Sequence, residues 1–81
     1  MNSESLNVIQ ALFDGGTLKA AKALPVPMQS GLYHLHLYGQ NGSHVAALEA
    51  QRGGLREFKT LDACASMARR IGFSQLAVTL R

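Results

Sequence analysis

The side chains in this sequence best suited to metal or proton chemistry are three histidines: His34, His36 and His44. Residues two apart on an extended strand share a face, so the imidazoles of His34 and His36 point the same way, and His44 or Glu49 can join them across a hairpin. Zinc requires three or four convergent ligands held by hydrogen-bonded neighbours. The sequence specifies no fourth ligand and no oriented carboxylate besides Glu49. His34, His36 and Tyr38 are therefore read as polar residues on a solvated or partner-facing strand surface, and no metal or other cofactor is implied.

Cys64 is the single cysteine. A nucleophilic thiol needs an adjacent base and an electropositive opening, whereas Cys64 falls on an apolar helical stripe and reads as core. No Ser-His-Asp arrangement is recognisable. The pairs Gly15-Gly16 and Gly53-Gly54 lack the spacing and the lysine of a phosphate loop. The expectation is a protein that is not an enzyme.

Charge is the more informative chemistry. Residues 1–51 carry Lys19 and Lys22 against Glu4, Asp14 and Glu49, net −1, while residues 52–81 carry six cations against Glu57 and Asp62, net +4. Arg52, Arg56, Lys59, Arg69 and Arg70 are the candidate phosphate-facing residues, and Arg81 completes the six. Such an asymmetry suits a nucleic-acid face, and it equally suits a soluble surface. His34, His36 and Tyr38 are the candidate partner-facing residues, since aromatic and cationic groups on a sheet can stack bases or anchor a protein partner.

These groups must be positioned by secondary structure, and the periodicities are readable. Leu6, Ile9, Leu12 and Phe13 recur at helical spacing behind a Ser3 or Ser5 cap and ahead of Asp14-Gly15-Gly16, giving a first helix over residues 4–14. Residues 17–24, between two glycines and Pro25-Val26-Pro27, are read as a strand at a sheet edge. From Leu32 to Tyr38 the residues alternate, with Tyr33, Leu35 and Leu37 on the apolar face. Asn41-Gly42 then signals a hairpin pairing Leu37 with Ala46, Leu35 with Leu48 and Tyr33 with Ala50. Gly53-Gly54 marks a second reversal into a strand over 55–59; burying Phe58 with Leu48 requires an odd-length loop or a glycine bulge, and the bulge is expected.

Thr60 caps a helix over residues 61–71 whose Leu61, Cys64, Ala65, Ala68 and Ile71 form one stripe, with Gly72 just past its end. A final strand over 75–80 puts Leu76, Val78 and Leu80 on one face. The expected fold is α+β, an antiparallel sheet of about four to five strands with two helices on one face, in the order α-β-β-β-β-α-β. Its expected core contains Leu35, Leu37, Leu48, Leu61, Ala65, Ile71, Leu76 and Val78.

Eighty-one residues, 47% hydrophobic and 16% charged, suit one domain covering residues 1–81 with enough apolar material to fold. The longest apolar runs fall short of the roughly 20 residues of a membrane span. The opening residues lack the pattern of a secretion signal, and a single cysteine fits a reducing compartment, so a cytoplasmic location is expected.

The segments DGGTLKAAK (residues 14–22), PVPM (25–28) and QRGGLREFKTLDA (51–63) resemble small plasmid-borne partition-associated proteins, with a similarity spanning most of the chain. The resemblance implies a bacterial accessory factor in plasmid maintenance that acts on DNA or on a partition protein, and it implies no catalytic residue. The alternative expectation is a protein-binding adaptor or inhibitor that uses its sheet face or an edge strand, as a homodimer.

Overall fold

The elements of the computed structural model, which describes residues 2–80, are β1 (Ser3–Glu4), α1 (Leu6–Asp14), β2 (Ala20–Pro25), β3 (Tyr33–Tyr38), β4 (His44–Leu48), α2 (Leu61–Ile71) and β5 (Ala77–Val78). The strands form one sheet in the order β1-β4-β3-β2-β5. Arg81 lies outside the described residues.

The β3–β4 hairpin forms where the alternation places it. Asn41 and Gly42 both adopt positive φ, at 63° and 74°, the conformation that favours this residue pair in tight reversals. The Gly39 N–H donates to Ser43 O at 2.8 Å and closes the turn. Leu37 lies opposite Ala46 as expected, and Val45 is the extra residue of a bulge that sets Tyr38 opposite His44. At the other end the expectation fails, because Tyr33 bridges Phe58 and not Ala50.

The sheet is mixed and not antiparallel throughout. β2 pairs with β3 and β3 with β4 in antiparallel fashion, but β1 runs parallel to β4 and β5 parallel to β2. The observed order is therefore β-α-β-β-β-α-β. β1 takes the place of the expected first residues of the helix because Ser5, not Ser3, is the cap: its Oγ accepts the Val8 N–H at 3.4 Å. Nothing apolar marks β1. It is fixed by the Ala47 N–H donating to Asn2 O and the Glu49 N–H to Glu4 O, both at 2.9 Å.

Residues 55–59 form no strand. Leu55 bridges Glu49 at the end of β4 while Phe58 bridges Tyr33 of β3, so the segment crosses from one neighbour to the next and builds no ladder. The loop between Glu49 and Leu55 is odd in length, five residues, and this loop, in place of the expected bulge, accompanies the burial of Phe58 in the core with Leu48. β2 is likewise not an edge strand, since it lies between β3 and β5. Pro25 is tolerated because β5 pairs only with Lys22 and Ala23, so the missing N–H falls beyond that ladder.

Helix α2 follows its apolar stripe. Thr60 Oγ1 accepts the Ala63 N–H at 3.0 Å, Asp62 sits in the first turn and Arg69 and Arg70 in the last, each charge complementing its end of the helix dipole. Gly72 ends it at φ 134°, its N–H donating to Ala68 O. A Cβ at Gly72 would stand 2.7 Å from Phe13 Cζ and closer still to Cε2, so this glycine also lets α1 approach α2. There Phe13 meets Phe73 edge-on, with ring centroids 4.8 Å apart, and Gln10 Nε2 donates to Ile71 O at 2.8 Å.

Both helices cover one face of the sheet. Ala21, Ala23, Leu35, Leu37 and Leu48 on that face pack with Ile9, Cys64, Ala68 and Ile71 in a single core. Of the expected core, Leu61, Ala65 and Leu76 are only half-buried and Val78 is exposed, at 42%; Leu80, expected on the same strand face, is 70% exposed. The final strand is two residues long and lies at the sheet edge, where the helices no longer cover it.

Candidate functional site

The arginines flanking the second glycine pair belong to a tightly hydrogen-bonded reversal. The Arg56 N–H donates to Leu48 O at 3.0 Å, the Ala50 N–H to Gly54 O at 2.9 Å and the Gly53 N–H to Ala50 O at 3.2 Å. Arg52 and Arg56 thereby line one wall of an open cleft of about 900 Å³, together with Glu49, Ala50 and Gln51. Arg70, from the last turn of α2, and Ser5, Leu6 and Asn7, from the start of α1, complete it.

Three arginines from two segments, the reversal and α2, thus line one hollow. Glu49 is the one carboxylate among its lining residues, and its Oε2 accepts the Ser3 hydroxyl at 2.9 Å. The Arg56 guanidinium lies over the Phe58 ring, 5.1 Å from its centroid. Among the described residues no side-chain hydrogen bond involves Arg52, Arg56 or Arg70. The first-turn N–H groups of Leu6 and Asn7 have no acceptor within the helix, since only the fifth and later N–H groups reach a helical carbonyl. The cleft therefore offers donors and positive charge to an anion.

The expected basic set divides. Lys59 lines a separate, shallower hollow of about 340 Å³ with Tyr33, Thr60 and Asp62. Arg69 is exposed and lines neither hollow. Consecutive helical residues diverge by about 100°, so Arg69 and Arg70 cannot both face one cleft. Sequence adjacency had grouped them.

The opposite face of the sheet carries the imidazoles. β3 directs His34, His36 and Tyr38 to the side away from the helices, and the register places Lys22 and Ala47 on either side of His36. His36 Nδ1 and His44 Nε2 are 2.9 Å apart and share a hydrogen bond. The ring of His34 lies 6.1 Å from that of His36, the rings of Tyr38 and His44 meet edge-on at 5.2 Å, and Lys22 Nζ stands 4.7 Å over Tyr38.

His36 departs from the solvated surface expected of it, being only 4% exposed. It occupies the middle of a central strand and is hemmed in by these rings. Burial, reinforced by the neighbouring His44 and His34, pushes its pKa from 6.5 down to about 4, because the cation loses hydration it cannot replace. Among the described residues no group of three or more His, Cys, Asp or Glu side chains has a metal-holding arrangement. Cys64 is fully buried, and burial pushes its thiol up to about 11.

The sequence did not single out Ser5, Leu6, Asn7 or Lys22 as site residues. Lys22 becomes visible only once β2 is in register with β3, and the α1 residues only once β1 is docked on β4. Among the described residues no helix is long and apolar enough to cross a membrane. Comparison of the chain with protein-family models, with curated proteins and with solved structures finds no match.

Proposed function

We propose that this protein is a non-enzymatic nucleic-acid-binding protein, acting on DNA as an accessory factor of the plasmid-maintenance kind that its sequence resemblance implies, with Arg52, Arg56 and Arg70 as its phosphate contacts. The observation that carries the reading is that Arg52, Arg56 and Arg70 line one cleft whose single carboxylate is already engaged by Ser3. Arginine is suited to the task because its planar fork donates two parallel hydrogen bonds to phosphate oxygens. The buried, weakly acidic thiol of Cys64 supports the non-enzymatic part, since the thiolate is the reactive form.

Titration of labelled duplex and single-stranded DNA, at low and moderate salt, tests it. The parent should bind unrelated sequences at low salt. Reversing charge with Arg52→Glu and Arg56→Glu together should weaken binding and flatten the slope of log K against log salt by about 2, since each phosphate contact contributes about 0.9. A parent that fails to bind at low salt, where non-specific attraction is strongest, refutes the reading.

A second reading is favoured by one separate observation. Among the described residues no element lies over the outer sheet face, which presents Tyr38, His34 and His44, residue types suited to the contact surface of a protein partner such as a partition protein or a second copy. Binding that persists at high salt and is lost in Tyr38→Ala would favour this adaptor role.

A further inference from the structure

We infer that the arginine-lined cleft receives a phosphomonoester dianion, the terminal phosphate of a nucleic-acid strand, in preference to an internal phosphodiester. The inference rests on the nucleic-acid reading above and narrows it to one end of the chain.

Shape comes first. Arg52, Arg56 and Arg70 line a hollow of about 900 Å³ and not a ridge. Hollows of roughly 300–1,000 Å³ are the size that takes small ligands. A continuous duplex lies across a surface, whereas a strand end, with one free terminus, can enter such a space. The walls suit a nucleotide, since Leu6, Leu48 and Ala50 offer apolar surface beside the charged groups and Asn7 and Gln51 offer amides.

Charge and donor count select the ester. The lining residues include three arginines and one glutamate, a surplus of two positive charges. A phosphomonoester carries about −1.5 to −2 near neutral pH, with three equivalent terminal oxygens. An internal phosphodiester carries a single negative charge and has two non-bridging oxygens, so it would offer the three arginines fewer acceptors and leave half the surplus charge unopposed. Guanidinium hydrogen bonds to a dianion are the charge-assisted kind, short and roughly twice as strong as neutral ones. The free first-turn N–H groups of α1 add to a site that the arginines define.

The experiment uses the full chain and a short fluorescent oligonucleotide made with either a 5′-hydroxyl or a 5′-phosphate, followed by anisotropy at constant salt and at about pH 7.5, where the monoester is mostly dianionic. The phosphorylated form should bind about tenfold more tightly or better. Arg52→Gln and Arg70→Gln should each remove that preference, while Arg69→Gln, outside the cleft, should retain it, with circular dichroism verifying that all three fold.

Equal affinity for the two oligonucleotides overturns the inference and leaves the nucleic-acid reading standing. If neither oligonucleotide binds, but a free nucleoside monophosphate does and loses its affinity in Arg70→Gln, the phosphomonoester site is upheld and the nucleic-acid reading falls. No binding of any of the three probes overturns both.

Discussion

Acidification should destabilise this protein through one residue, His36, over a defined range. In the unfolded chain its imidazole takes up a proton near pH 6.5, but in the folded chain only near pH 4. Between these values the unfolded state holds more protons, so stability falls as the pH drops; the contribution is fully present above 6.5, lost by about 4 and level below it. At about 1.36 kcal/mol per pH unit the whole interval is worth about 3 kcal/mol, a large share of the roughly 5–15 kcal/mol that holds a small domain together. The cost lies in forcing a cation into a site 4% exposed, beside His44 and His34 and with Lys22 opposite on β2.

Urea unfolding of the parent and of His36→Gln, at matched pH values between 7.5 and 4, isolates this contribution from that of the carboxylates. The amide keeps a polar group near His44 without a proton to gain. The parent should lose about 3 kcal/mol more than the variant over the interval. Parallel losses in the two proteins would refute the assignment of the acid sensitivity to His36.

Two further outcomes follow from the packing. Gly72→Ala should cost about 2–5 kcal/mol in urea melts, combining backbone strain at φ 134° with the collision against Phe13. Leu48→Ala should cost about 2–5 kcal/mol, because Leu48 is fully buried. Val78→Ala, at a 42% exposed position, should cost less than about 1 kcal/mol in the same assay.

What the sequence discloses here is local. The β3–β4 hairpin and α2 are each specified by a period and a terminator within about a dozen residues, Asn41-Gly42 for one and Thr60 with Gly72 for the other, and both form where they were expected. β1 is invisible in the same terms, because Ser3 and Glu4 become a strand only through Ala47 and Leu48, far along the chain. The loss of the expected strand at 55–59 has the same origin, since Leu55 and Phe58 answer to different neighbours.

The cleft shows both sides of this limit. Arg52 and Arg56 could be paired from the sequence because one turn holds them. Arg70 joins them through the docking of α2, and no periodicity reports that. His36 lay on the face that alternation assigned to solvent, yet alternation says which side a residue faces and nothing about how thickly its neighbours cover it.

The shortness of the two outer strands bears on self-association. A strand at the rim of a sheet is a template for another chain in proportion to its run of free backbone donors and acceptors. Here both rims, β1 and β5, are two residues long, about 7 Å of template each, and one of them carries the charge of Glu4. Edge-to-edge polymerisation, the route by which sheets seed fibrils, thus meets only short, stepped runs of backbone, since β1 pairs with just two residues of β4 and β5 with two of β2. A second molecule that adheres to this sheet broadside, through side chains of the outer face, should stop at a pair and not grow into a filament.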